Sequence, residues 1–261
     1  MALVPVAATL VLLWVVQWLA GRSTQALARA LGWHTVAWTT GWLGVPVHEL
    51  SHALACVLTR RRVRAITLFA PNPATGTLGS VEFEPGRGPV AWLATLLVGI
   101  APLAGGTLAL VGLLHVLAWA SGHALPIALG LPPHDWQDWW QLQLQTADFA
   151  GHAALAGWQA GGVQRVVSVG TVYAAAAVAA HQTPSRADLH GAWRGLLVLV
   201  AVVTLAVLGA DAVQVALGPP LLRAALLVCG WVAPGLLLAV VPLAVMGLTG
   251  GTLGRLGRRV G

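Results

Sequence analysis

Residues 90–121 read VAWLATLLVGIAPLAGGTLALVGLLHVLAWAS, and they contain no Asp, Glu, Lys or Arg. A helix that rises ~1.5 Å per residue crosses the ~30 Å hydrocarbon layer of a bilayer in roughly 20 residues. The stretch therefore predicts a transmembrane segment.

The composition of the whole chain agrees with this interpretation. Its 261 residues are 57% hydrophobic and 8% charged, whereas soluble domains carry about 25% charged residues. The net charge of +6 comes from arginines without any lysine. These arginines cluster beside the apolar runs, as the positive-inside rule predicts for a membrane protein. We therefore expect the lipid bilayer as the environment and no nucleic-acid partner.

The apolar runs predict an all-α polytopic membrane protein, a single integral domain over residues 1–261. Six transmembrane helices are expected, at residues 2–20, 35–58, 90–121, 163–181, 191–217 and 221–249. With the N-terminus inside, ten of the 14 arginines fall on the cytoplasmic side. The expected location is the inner (cytoplasmic) membrane of a bacterium, with both termini in the cytoplasm. The Trp- and Gln-rich segment at residues 132–157 is expected to lie along the outer interface.

The pattern changes from helical to alternating between the second and third spans. Polar Ser80, Glu82 and Glu84 alternate with Val81 and Phe83, after a Pro- and Gly-containing turn sequence at residues 71–76. This predicts a small β-hairpin. Two interpretations remain open: the hairpin caps the membrane face, or its edge strand binds an extended peptide by β-addition.

The second span contains the sequence His48-Glu49-Leu50-Ser51-His52. On a helix, His48 and His52 lie one turn apart on one face, so both imidazoles can bind a single Zn²⁺, and Glu49 can act on a metal-bound water. Composition alone would produce this pattern about 0.004 times in such a chain, which makes coincidence a poor explanation. The alternative is a polar cluster that holds helices together within the membrane.

A catalytic zinc usually has three protein ligands, so a third must come from elsewhere in the chain. Asp188 is the first candidate because it lies at the cytoplasmic start of the fifth span, at a depth that matches the two histidines. Its alternative role is a helix cap, since Ser185-Arg186-Ala187-Asp188 fits a capping box. His190 is the reserve ligand. The other candidates are less suitable. Cys56 is two turns from His48, and Asp148, His152 and Asp211 are expected towards the outer side of the membrane. The remaining histidines lack a paired spacing; they are His34, His115, His123 and His134.

These motifs together resemble the site-2 protease family of intramembrane zinc metalloproteases. The resemblance covers roughly residues 41–200, with a zinc-binding core at about 35–200 and no PDZ domain. It implies that His48, His52 and an Asp at the position of Asp188 bind zinc and that Glu49 is the general base. The chain departs from the family in three places, which indicates a divergent branch. The family's Asn position holds His181, Ala101-Pro102 replaces Gly-Pro, and Leu189-His190 separates Asp188 from Gly191.

The favoured function is hydrolysis of a peptide bond in a membrane-embedded protein or peptide by a zinc metalloendopeptidase. One rival is a non-enzymatic membrane protein, either transporter-like or a scaffold, in which the polar cluster lines a path or fixes helix packing. A second rival retains the zinc but hydrolyses a lipid-linked amide.

Overall fold

The computed structural model describes residues 3–125, 135–212 and 217–260. The described chain is mainly helical, with one two-stranded sheet. In chain order the elements are α1 (Leu3–Leu31), α2 (Trp33–Val36), a π-helical turn (Ala37–Gly41), α3 (Trp42–Leu58), β1 (Val63–Thr67), β2 (Ser80–Phe83), α4 (Pro89–Ser121), α5 (Trp136–Ala160), α6 (Gly162–His181), α7 (Arg186–Ala212) and α8 (Gly218–Val260).

Five of the described helices are long and apolar enough to cross a membrane. These candidate spans are Val4–Leu31, Pro89–Ser121, Gly162–His181, Arg186–Ala206 and Pro219–Arg255. The 17-residue α3 is shorter, but α2 and the π-helical turn precede it without a break. Large side chains such as Leu197 and Val200 are more than half exposed, as expected for a surface that meets lipid. The all-α polytopic membrane fold is confirmed.

Helices α3 and α4 pack in opposite directions through small residues. Ser51 lies against Gly105, and Cys56 packs against Val98. The absence of a side chain at Gly105 permits this approach, because an added Cβ there would collide with Ser51. The close packing brings the third turn of α3, which contains Ser51 and His52, next to the backbone of α4.

Helices α6 and α7 follow α4 as one interrupted path that runs antiparallel to it. Gln182 lies against Gly106, Asp188 against Gly99, and Gly195 against Trp92. The sequence predicted two separate crossings here, at residues 163–181 and 191–217. The apolar runs had indicated length but not direction, and the four residues at 182–185 interrupt the helix without reversing the chain.

Helices α1 and α8 run parallel to each other. The Ser23 hydroxyl donates a 2.6 Å hydrogen bond to the Leu243 carbonyl, and Gly250 lies further along against Ala26. The first turn of α1 and the last turn of α8 therefore lie at opposite ends of the bundle. The expectation that both termini are cytoplasmic counted α6 and α7 as two crossings of the membrane. The packing of α1 with α8 does not agree with that expectation.

The predicted β-hairpin is present, with β1 and β2 antiparallel and Thr67 opposite Ser80. It folds back along α3 instead of capping the end of the bundle. Phe69 contacts the Trp38 ring edge-on at 5.1 Å between centroids, and an added Cβ at Gly79 would lie 2.8 Å from Val45. The hairpin consequently covers the face of α3 that carries the histidines.

Helix α5 packs against the bundle with one face and is not among the candidate spans of the described chain, so its position along the outer interface stays a prediction. Its buried residues recur at alternating spacings of three and four, at Trp139, Leu142, Thr146, Phe149 and Ala153. Such a spacing places them on one side of a helix. The first part of the predicted interfacial segment, residues 132–134, lies outside the described residues.

Candidate metal centre

Three predicted ligands come together at the break between α6 and α7. The Nε2 atoms of His48 and His52 lie 3.1 Å apart. Asp188 places Oδ2 3.5 Å from His48 Nε2 and Oδ1 3.3 Å from His52 Nε2. Among the described residues these three side chains form a group that could hold a metal ion.

The hydrogen bonds of the two imidazoles determine which nitrogen is free. His48 Nδ1 lies 2.6 Å from the His181 carbonyl, and His52 Nδ1 lies 2.8 Å from the Val98 carbonyl. A carbonyl can only accept, so each Nδ1 carries the hydrogen and donates it. In the neutral rings, the lone pairs of both Nε2 atoms then point into the same space, next to a carboxylate. Histidine ligands of metals are held by backbone carbonyls in this way.

The spacing of the donor atoms fits a small tetrahedral site. With metal–nitrogen distances of about 2.0–2.1 Å, ligand atoms at the corners of a tetrahedron are about 3.3 Å apart. The separations of 3.1, 3.3 and 3.5 Å lie close to this value. Two neutral imidazoles and a carboxylate are also a donor set that Zn²⁺ accepts, with a fourth position left for water.

Asp188 also forms the capping box that the sequence offered as its alternative role. The Ser185 backbone N–H donates to Asp188 Oδ2 at 2.6 Å, and the Asp188 N–H donates to Ser185 Oγ at 3.2 Å. The cap and a role as a metal ligand are therefore compatible. The cap fixes the start of α7 and orients the carboxylate towards the histidines.

Glu49 lies beside the three-residue group but outside it. Its side chain lines the same cavity and the residue is 7% exposed. Within the described part of the chain no hydrogen bond or salt bridge holds its carboxylate. A carboxylate that is placed next to a metal site and not committed to another partner can exchange a proton with a bound water.

The cavity around these residues has a volume of about 900 Å³. It lies between α3, the hairpin, α4 and the segment that joins α6 to α7, and β2 supplies Ser80, Val81 and Phe83 to its wall. Gly79 allows the hairpin to approach closely, because a Cβ there would lie 2.9 Å from Cγ of Glu49. The hairpin thus forms one wall of the candidate site.

The remaining predicted candidates do not join the site. His190, the reserve ligand, is exposed, and the buried Cys56 packs against Val98. Asp148 and His152 form an exposed pair on α5, 3.2 Å apart. The other histidines are placed as follows: His34 contacts Trp33 and Trp38, and His115 and His123 bond to carbonyls close to them in sequence. His134 lies outside the described residues, as does the side chain of Asp211.

Sequence reasoning assigned no role to the two backbone carbonyls that hold the histidines. The Val98 carbonyl is 46 residues from His52, and the His181 carbonyl is 133 residues from His48. The His181 ring lies 3.2 Å from the Thr40 hydroxyl in the π-helical turn, and such turns occur often at functional sites. The match of His181 to the Asn position of the resembled family was the one signal in the sequence.

The chain matches no protein-family model, no curated protein and no solved structure. The chemistry of the site therefore rests on its own geometry. That geometry provides a three-residue group that could hold a metal ion, a nearby carboxylate and a cavity large enough for a peptide segment.

Proposed function

We propose that this protein is an intramembrane zinc metalloprotease of the site-2 protease type. The observation that carries the proposal is the convergence of His48 Nε2, His52 Nε2 and the Asp188 carboxylate, with each imidazole oriented by a backbone carbonyl. Its position beside the apolar α4 favours a substrate that reaches the site from within the membrane.

In this proposal, different residues of the chain bind the metal ion and transfer the proton. Zinc, when bound, supplies Lewis acidity and lowers the pKa of a coordinated water towards ~7. His48, His52 and Asp188 hold the ion, and the carbonyls of His181 and Val98 keep the imidazoles in the correct tautomer. Glu49 accepts the proton of the attacking water and delivers it to the leaving amine.

The hairpin supplies a means of presenting the substrate. An intact transmembrane helix hides its carbonyls in its own hydrogen bonds, so a substrate helix must unwind before cleavage. Strand β2 pairs with β1 along one edge, and its residues line the cavity. An extended substrate segment can add to this strand by β-addition, which holds the scissile carbonyl towards the metal.

Hydrolysis of a lipid-linked amide is the second candidate, because the metal site and Glu49 suit any amide. The volume of the cavity and its strand-lined wall favour a peptide. The non-enzymatic alternative predicts a cluster without stoichiometric metal and one that tolerates Gln at position 49.

The test combines metal analysis with turnover of a transmembrane peptide reconstituted with the purified protein. Wild type should contain about one zinc per chain, and His48→Ala should lose both the metal and the activity. Glu49→Gln should retain the zinc and lose about 10²–10⁴-fold in rate, the range typical of acid–base catalysis. Full activity in Glu49→Gln, or a folded wild type that binds no zinc, would contradict the proposal.

A further inference from the structure

Arg186 is an exposed residue at the start of the candidate span Arg186–Ala206, next to the candidate metal centre. It is the first residue of α7 and is two residues from Asp188, which lies against Gly99 of α4. Gly99 is ten residues beyond the start of α4 at Pro89, which corresponds to about 15 Å along a helix. An ionisable residue that lines a cavity between membrane-spanning helices is a candidate functional position.

Arg186 has no internal partner among the residues that the structure describes. Other arginines do: Arg64 donates to Glu84, and Arg165 and Arg194 lie over tryptophan rings. A positive charge in the first turn of a helix also opposes the helix dipole. The fold therefore does not require an arginine at this position.

The Arg186 side chain lines the cavity of the candidate metal centre. Two carboxylates line the same cavity, but Asp188 is engaged by the two histidines and Glu49 lies beyond salt-bridge distance. The other titratable groups that line it are His48, His52 and His181. Arg186 is thus the one permanent cation that the described residues contribute to this wall.

We infer that Arg186 is a specificity-determining residue that binds a carboxylate of the substrate next to the scissile bond. This inference rests on the proposed function. The planar guanidinium matches a carboxylate with two parallel, charge-assisted hydrogen bonds. The carboxylate can belong to an acidic side chain within the substrate or to its free C-terminus.

The experiment measures the binding of apolar peptide hydroxamates to the zinc-loaded, purified full chain. Three compounds share one sequence: one with Glu beside the hydroxamate, one with Gln there, and one with Gln and a free C-terminal acid in place of the amide. At least one carboxylate compound should bind about tenfold or more tightly than the neutral compound. A preference for the first assigns an acidic side chain, and a preference for the third assigns a terminal carboxylate.

Substitutions then attribute the preference to Arg186. Arg186→Gln should bind all three compounds alike, and Arg186→Lys should retain part of the preference because the charge remains. Arg194→Gln is the matched control, since Arg194 lies on the same helix over Trp193, and it should behave as wild type. Equal binding of the three compounds by wild type would overturn this inference alone. If no hydroxamate bound at all, the metal site itself, and with it the proposed function, would be overturned.

Discussion

Asp188 and Glu49 are two carboxylates in one cavity, and their surroundings differ. Asp188 faces two Nε2 atoms and is held by the Ser185 backbone, so its position is fixed. Glu49 has neither kind of partner within the described chain, which leaves its carboxylate able to change protonation state. The difference follows from neighbours and not from residue type.

One substitution separates the cap of α7, which Asp188 forms, from its proposed role as a metal ligand. Asp188→Asn retains an oxygen that can accept the Ser185 N–H, and loss of a cap costs only about 0.5–2 kcal/mol. A neutral amide is a poor zinc ligand, so zinc affinity should fall by more than about tenfold, since even partners outside the ligand set contribute 10–100-fold. Turnover of the reconstituted peptide should be lost, with the thermal unfolding temperature little changed.

Ser185→Ala is the control for this prediction. It removes the hydroxyl that accepts from the Asp188 N–H and leaves the carboxylate in place. It should lower stability slightly and retain zinc. If Asp188→Asn kept both zinc and activity, as Ser185→Ala should keep zinc, Asp188 would be a cap alone.

Much of the site at this scale could be predicted from sequence. The spacing of His48, Glu49 and His52 indicates a metal face on a helix, and Pro184 before Asp188 indicates a helix start. The carbonyls of Val98 and His181 could not be predicted, because every residue has a carbonyl and only the packing of α4 and α6 selects these two. Arg186 lies within the predicted capping box, but the sequence indicated no role for it.

At the scale of elements, the hairpin has the largest effect on the site. The alternation of Val81 and Phe83 with polar residues predicted its strands. The alternation of residues could not indicate that the hairpin lies along α3, because this position depends on contacts such as that of Phe69 with Trp38. Hydropathy likewise identified the lengths of α6 and α7 but not their common direction, which the contacts of Gly99 and Gly195 with α4 define.

Gly79 provides a test of the hairpin as a wall of the candidate metal centre. In Gly79→Ala the new Cβ would lie 2.9 Å from Cγ of Glu49 and 2.8 Å from the Thr67 carbonyl, so the hairpin or Glu49 must shift. Misplacement of a catalytic group by 1 Å can cost about 10²-fold. The turnover should therefore fall by at least tenfold while the zinc content remains that of wild type.

Gly112→Ala is the matched control, because nothing lies within 4 Å of a Cβ at Gly112. It should leave both turnover and zinc content unchanged. If Gly79→Ala were as active as Gly112→Ala, the hairpin would not position Glu49.

At the scale of the whole molecule, the helices fall into two sets of opposite direction. Helix α4 runs antiparallel to α3, α6 and α7, and α8 runs parallel to α1. Arg255, near the end of α8, therefore lies towards the same end of the bundle as Arg29 in the last turn of α1. The sequence places ten of the 14 arginines on one side of the membrane. This excess becomes smaller when α6 and α7 count as one crossing.

Cysteine labelling tests this arrangement directly. Cysteines at Arg62, Arg29 and Gly254 are to be compared with an impermeant thiol reagent in intact cells. Arg29→Cys and Gly254→Cys should react from the same side, and Arg62→Cys should react only from the other. The native Cys56 and Cys229 are buried and should contribute little background. Reaction of the Arg62 and Gly254 positions from one side would contradict the parallel packing of α1 and α8.

The pairing of α1 with α8 also has a consequence for biosynthesis. The end of α1 at Leu31 and the start of α8 at Gly218 are far apart in sequence, and at about 5–20 residues per second a ribosome needs roughly 10–40 s to translate the chain between them. During that time the face of α1 around Val16 and Ala20 lies in the membrane without α8 packed against it. His48, His52 and Asp188 will all have been synthesised by then. We therefore expect the nascent chain to assemble its metal ligands before its helical bundle closes.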